Sequence, residues 1–215
     1  MDDILRRAEQ FAIGTHRRVD QRRKYTDQPY DAHLRAVVEI VETVTSDPEV
    51  LAAAWLHDAI EDTPATYDDI EREFGTEVAD LVAELSDVSR ASDGNRAVRK
   101  SIDRAHLARA SARAKTVKLA DLIDNTRDIV KHDPRFGRVF VTEAASLLEV
   151  LEDGDPVLYA RAGKVIARSA ESLGLPPPRR PCCCPRAGSR RPPPSRSFSS
   201  SGSSVCSPTA SARRT

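Results

Sequence analysis

Four groups able to bind a metal or move a proton fall within six residues of this chain: His57, Asp58, Glu61 and Asp62, in the stretch Trp55 to Thr63. On a helix advancing about 100° per residue, His57 and Glu61 lie about 40° apart, as do Asp58 and Asp62, and all four occupy an arc of about 140°. The run leading in, Val50 to Leu56, is apolar, and Ala59 and Ile60 extend it, so the segment should be buried. Three carboxylates on a buried helix require a cation, a proton or water to offset their charge. A divalent metal is the simplest such partner. Neighbouring residues on one helix cannot complete its shell, so further ligands must come from elsewhere. His33, beside apolar positions, and Asp121, inside an apolar-periodic stretch, are the candidates. Taken singly, His33 reads as a packed or exposed histidine and Asp121 as a partner for Lys118 one turn earlier. Taken together, His33, His57, Asp58 and Asp121 make a mixed nitrogen and oxygen set suited to Mn²⁺, Fe²⁺ or Zn²⁺.

The elements that must position these residues read as helix after helix, an all-α multi-helix bundle. Alternating β-branched or aromatic runs are nearly absent, and aromatics are 5% of the chain. A first helix is expected over about Asp2 to Arg23 and a second over Asp31 to Val44. A third starts at Pro48, carries the His57–Asp62 cluster and stops at Pro64. Thr66 to Asp69 resembles a capping box for a short helix to Phe74, and Gly75 ends it. Further helices are expected from Thr76 to about Val88, over a basic stretch from Asn95 to Arg109, and from Ala112 to Lys131. The last two run from Val139 to Leu151 and from Pro156 to Leu173. Trp55 reads as core, His106 and His132 read as surface, and His16 reads as helix surface with a supporting role behind the metal ligands left open.

Composition divides the 215 residues near Gly174. Residues 1–174 read as one domain with a formal charge near −8 and no cysteine. Residues 175–215 hold nine of the 14 prolines, all four cysteines and eight arginines, with no acidic residue. That tail cannot build a core, and we expect it to be disordered. Its charge could attract nucleic acid, but a solvated extension accounts for it better, and nucleic acid is not expected as a partner. Adjacent Cys182, Cys183 and Cys184 lack zinc-ligand spacing. No secretory signal opens the chain and no run of 18 apolar residues exists, so a cytoplasmic protein without a membrane partner is expected.

The order His, His-Asp, Asp is that of the HD-domain metal-dependent phosphohydrolases. The likeness extends to Arg23-Lys24 with Pro29-Tyr30 and His33, to His57-Asp58 with Glu61-Asp62, to Phe74-Gly75, and to Lys118-Leu119-Ala120-Asp121 with Asn125. Over roughly residues 4 to 152 this joint pattern resembles the hydrolase half of Rel/SpoT-type alarmone enzymes and their small stand-alone relatives. The resemblance implies His33, His57, Asp58 and Asp121 as metal ligands, with Mn²⁺ the usual ion. It implies Glu61 and Asp62 as the residues that orient and deprotonate the attacking water. Arg23 and Lys24 would meet the base or phosphates of the nucleotide, Asn125 would help to hold it, and Arg99 and Lys100 would lie near the pyrophosphate. Two positions depart from the family pattern. Leu34 follows the first histidine where proline is usual, and the spacing from His16 to Arg22-Arg23-Lys24 is longer than common.

Such residues suit hydrolysis of a phosphate ester. A metal activates water and polarises a phosphoryl oxygen, a carboxylate takes the proton, and lysine or arginine stabilises phosphate charge. The leading expectation is removal of the 3′-pyrophosphate from guanosine tetra- or pentaphosphate. Competing readings are an HD hydrolase of another nucleotide or a phosphomonoester, a non-catalytic nucleotide-binding HD protein, and a nucleic-acid binder working through the tail.

Overall fold

Sequence punctuation sets where each helix begins and ends. The computed structural model describes residues 3–177 and folds them into ten α-helices and one short 3-10 helix, Ala91–Asp93. Helix α1 spans Asp3–Arg18 and ends five residues before the expected Arg23. Asp20 takes a left-handed conformation (φ 48°), and Gln21 N–H returns to the His16 carbonyl at 3.1 Å, which turns the chain out of the helix. A tight loop follows, closed by an isolated antiparallel bridge between Arg22 and Pro29, the one β-type pairing among the described residues. Helix α2 is Asp31–Glu42. Helix α3, Pro48–Leu56, starts on Asp47, whose carboxylate accepts from the Glu49 and Val50 amides, with proline in the first turn.

The third expected helix is not continuous. It breaks at His57 and Asp58, and a single turn, α4 (Ala59–Asp62), follows. The cause is local. The His57 ring donates from Nδ1 to the Ala54 carbonyl at 2.9 Å. An uninterrupted helix would offer that acceptor to the Asp58 amide. Asp58 sits at φ −100°, ψ 1°, outside helical geometry. The 40° spacings read from an ideal helix therefore do not apply across residues 57–62.

Helix α5, Tyr67–Phe74, has the expected capping box between Thr66 and Asp69 and ends at Gly75, whose φ of 89° favours glycine. Helix α6, Thr76–Leu85, stops short of the expected Val88 because Ser86 is extended (ψ 140°) and the chain turns away. Buried Asp103 then takes the Val88 and Ser89 amides at 3.1 and 2.9 Å. Asp103 lies on α7, Arg96–Leu107, which Asn95 caps. Helix α8, Ala112–His132, is the longest at 21 residues. Helix α9, Pro134–Leu148, begins before the expected Val139, since the Asp133 carboxylate caps Phe136 N–H and Pro134 fits the first turn. Helix α10, Pro156–Ser172, is capped by Asp155 and followed by Gly174 at φ 65°.

Helix α8 is the axis of the bundle, packing on α2, α3, α6, α9 and α10, while α3 packs on α1, α2 and α6. Helix α3 is apolar all round and wholly interior from Val50 to Leu56, Trp55 included. The core therefore meets where α2, α3 and α8 converge, and the chemistry-bearing residues sit at that junction. The loop between α9 and α10 approaches α8 closely at Gly154, where a Cβ would meet Leu119 Cδ1 at 2.8 Å and the backbone of Leu151 and Lys115 at 3.2 Å. Gly154→Ala is expected to destabilise the fold by about 1–3 kcal/mol, read as a lowered urea midpoint. Among the described residues no helix is long and apolar enough to cross a membrane. The tail expected to be disordered lies, from residue 178 onward, outside the described residues.

Candidate active site and metal centre

His33 comes from the first turn of α2, His57 and Asp58 from the break between α3 and α4, and Asp121 from the middle of α8. Their metal-facing atoms converge. His57 Nε2 lies 3.0 Å from Asp58 Oδ2 and 3.9 Å from Asp121 Oδ1. His33 Nε2 lies 3.6 Å and 3.4 Å from the same two oxygens. Donor atoms held about 2.1 Å from one ion sit about 3.0–3.4 Å from each other. His33, His57 and Asp58 form a group with all ligand atoms within 4.8 Å.

The hydrogen bonding makes the case for a cation. His57 gives its Nδ1–H to Ala54 O, and His33 gives its Nδ1–H to Asp124 Oδ2 at 2.7 Å. In the neutral imidazoles both Nε2 atoms are then lone-pair acceptors, buried without a hydrogen-bond partner, and they face carboxylate oxygens. Acceptors facing acceptors in a dry site need a positive charge between them. The titration behaviour agrees. Burial opposes charge on both histidines, yet the carboxylates Asp58 and Asp121, joined at His33 by Asp124, raise both above the ordinary imidazole value. Asp58 is held well below the ordinary carboxylate range against its burial, chiefly by His57 and His33. This donor set fits a divalent metal ion.

Around it lies a cavity of about 460 Å³. It is lined by the carboxylates Asp58, Glu61 and Asp62, by Lys118 and Asn125 of α8, by Arg96, Lys100 and Arg104 of α7, and by Phe140 and Leu147 of α9. Glu61 accepts from the Asp87 amide at 3.3 Å. Burial, aided by the Asp87 charge, pushes the Glu61 carboxyl up from 4.5 to about 7. Asp62 is also raised, first by burial and then by Asp58. It accepts from Gln21 Nε2 at 2.6 Å, and Gln21 in turn takes the His16 Nδ1–H at 2.6 Å. His16 is thus buried at the site rather than on the surface. The left-handed turn at Asp20 absorbs the long spacing after His16 and returns Gln21 to it.

Lys118 Nζ meets Asp121 Oδ2 at 2.9 Å while Asp121 Oδ1 faces the histidines. Asn125 donates to Asp121 Oδ1 at 2.5 Å and lines the cavity. Lys100 lines it too, paired with Asp87 at 2.7 Å. Arg99 lines a neighbouring polar depression of about 430 Å³ that shares Glu61, Arg96 and Lys100 with the cavity. Two residues expected at the nucleotide, Arg23 and Lys24, are not among those lining the cavity. Lys24 is exposed, its ammonium over the rings of Tyr25 and Phe136. Arg23 is taken up by Asp124 at 2.6 Å and Asp128 at 2.9 Å, its side chain 9% exposed.

Sequence reasoning missed Tyr30, Gln21, Lys118 and Asp124 as working parts. Tyr30 donates to Asp58 Oδ2 at 2.6 Å, and burial beside that carboxylate keeps its hydroxyl protonated. A signal was present for the α8 residues. Lys118, Asp121, Asp124, Asn125 and Asp128 recur at helical spacing as a polar stripe on a helix that is otherwise core.

A family model described as HD domain matches residues 8–151. The chain is similar to the guanosine-3′,5′-bis(diphosphate) 3′-pyrophosphohydrolase MESH1 of Drosophila melanogaster, 41% identical over 128 residues that cover 58% of this chain and 69% of that protein. The human protein of that name is 38% identical over 133 residues, 60% of this chain and 72% of its own length. The bifunctional (p)ppGpp synthase/hydrolase SpoT of Escherichia coli K12 is 35% identical over 131 residues, 60% of this chain and 18% of that protein. A solved structure described as a metazoan ortholog of SpoT that hydrolyses ppGpp matches with a TM-score of 0.70 at 32% identity, covering 82% of this chain and 98% of that one.

Proposed function

Because this chain belongs to the HD domain family, as a metal-dependent hydrolase related to the ppGpp hydrolases, we propose that it removes the 3′-pyrophosphate from guanosine 3′,5′-bis(diphosphate). The observation that carries this reading is the two-histidine, carboxylate centre at a cavity lined by both carboxylates and the basic residues Arg96, Lys100 and Arg104 of α7. Its volume falls in the range of small-molecule sites. A polyphosphate needs both kinds of group: a place for activated water and a place for negative charge.

In this reading His33, His57, Asp58 and Asp121 hold the ion, with Mn²⁺ proposed. When bound, the ion supplies positive charge to a phosphoryl oxygen and acidifies water at the site. The protein's own groups do the rest. Glu61, with its raised pKa, takes the proton of the attacking water, and Asp62, fixed by Gln21, orients that water. The bond between the ribose 3′-oxygen and phosphorus breaks, the 3′-oxygen leaves with a proton, and pyrophosphate is released. Lys118 offsets the Asp121 charge beside the reacting phosphate. Asn125, Lys100 and, one depression away, Arg99 are proposed to hold the nucleotide and its phosphates. Lys24 remains a proposed substrate contact from the rim.

A Mn²⁺-dependent release screen over a nucleotide panel tests this. Pyrophosphate and guanosine diphosphate from guanosine 3′,5′-bis(diphosphate) are the expected products. Orthophosphate from a simple nucleotide as the dominant product would give the site another substrate. No turnover of any nucleotide with Mn²⁺ bound would leave a binding protein. Lys100→Ala is expected to raise KM about tenfold, with a smaller change in kcat, if it acts chiefly in ground-state binding.

A further inference from the structure

The two imidazoles of the metal centre are held from behind in different ways. His57 Nδ1–H is fixed by a neutral backbone carbonyl, that of Ala54. His33 Nδ1–H is fixed by a carboxylate, Asp124, at 2.7 Å. The same Asp124 oxygen accepts from Arg23 Nη1 at 2.6 Å, and Arg23 Nη2 reaches Asp128 one turn further along α8 at 2.9 Å. Arg23 is tied through its backbone as well. Its N–H goes to Gln28 O at 2.9 Å, and its carbonyl accepts from Asp27 N at 3.0 Å. His33 is 1% exposed, so water cannot stand in for Asp124 at Nδ1.

We infer that Asp124, locked in place by Arg23, is the positioning residue for the metal ligand His33. Four facts meet in this one chain of contacts. A carboxylate at Nδ1 selects the tautomer that leaves the Nε2 lone pair aimed at Asp58 and Asp121. It makes that nitrogen a stronger donor than one backed by a neutral carbonyl. Arg23 offsets the Asp124 charge, so the carboxylate does not compete with Asp58 for the ion. The bridge at Arg22 and Pro29 holds the Arg23 backbone, so the loop between α1 and α2 braces the centre from α8. Arg23 thereby has a duty at the metal centre in addition to the substrate contact expected of it beside Lys24.

The inference rests on the metal-hydrolase reading, and the test separates the two. Mn²⁺ is titrated calorimetrically into the full metal-free chain with no nucleotide present, and each variant's melting temperature is recorded in parallel. Asp124→Asn keeps the shape and loses the charge, and its Mn²⁺ Kd is expected to rise about 10- to 100-fold. Arg23→Gln should raise it several-fold, Asp128→Asn least, and Arg23→Lys, which keeps one ion pair to Asp124, should restore most of the affinity. A merely structural role would lower melting temperatures without this gradient in Mn²⁺ affinity. Should Asp124→Asn not fold, Arg23→Gln against Arg23→Lys carries the same readout. Folded Asp124→Asn with wild-type Mn²⁺ affinity overturns the inference while leaving the metal reading intact. So does Arg23→Gln if it changes only the KM for nucleotide. Wild-type protein that binds no divalent ion overturns both.

Discussion

Asp58→Asn is expected to lower kcat/KM by at least about 10³-fold, a loss of about 4 kcal/mol of transition-state stabilisation. Its Oδ2 atom is the meeting point of the site, 3.0 Å from His57 Nε2 and 3.6 Å from His33 Nε2. Asparagine can still accept the Tyr30 hydroxyl but brings no charge to offset an ion. The metal content of the purified protein should fall with the rate. Stability should fall as well. His57 and His33 hold the Asp58 carboxylate charged in the metal-free protein, so its replacement takes a counter-charge from those buried imidazoles and lowers the metal-free melting temperature. Chelation of wild type should abolish turnover, and added Mn²⁺ should restore it, whereas the variant stays inactive. A variant that keeps both its metal and its rate would remove Asp58 from the centre.

Glu61→Gln is expected to lower kcat about 10²- to 10⁴-fold with little change in Mn²⁺ affinity, as for loss of a positioned general base. The pH profile is the sharper readout. Burial raises the Glu61 carboxyl from 4.5 to about 7 in the metal-free protein, and a cation nearby draws it back down. The base works only when deprotonated. Activity should therefore rise with pH along a limb between 4.5 and 7 and level off above it. In Glu61→Gln the residual rate should lose that limb. An unchanged limb in the variant would assign it to another group, Asp62 being the next candidate. Asp62 is also raised, but Gln21 Nε2 occupies one of its oxygens, which favours orientation over proton uptake.

The sequence carried the fold well where local chemistry decides. The Thr66 to Asp69 capping box, the prolines at Pro48 and Pro156, and the apolar periodicity of α8 each act within a few residues, so they can be read without knowing the partners. It failed where a side chain competes with the backbone or a distant residue intervenes. The break at His57 depends on an imidazole taking the Ala54 carbonyl, and the early end of α6 goes with Asp103, 14 and 15 residues further on, taking the next amides. His16 looked like surface because its pattern on α1 gives no hint that Gln21 will fold back over it.

What the sequence by itself determined was the inventory: an all-helical body, a dense cluster of acids and histidines on an apolar segment, and a pattern shared with one hydrolase family. Those follow from residue type and spacing, which the chain carries in any conformation. Only the tertiary structure decided the assignments. Long side chains from α2, α8 and the α1–α2 loop reach one another across more than a hundred residues of sequence, as Arg23 does to Asp124 and Asp128. A guanidinium beside a lysine looks the same on paper whether or not a buried carboxylate lies within its reach. Burial and the position of the nearest opposite charge are properties of packing.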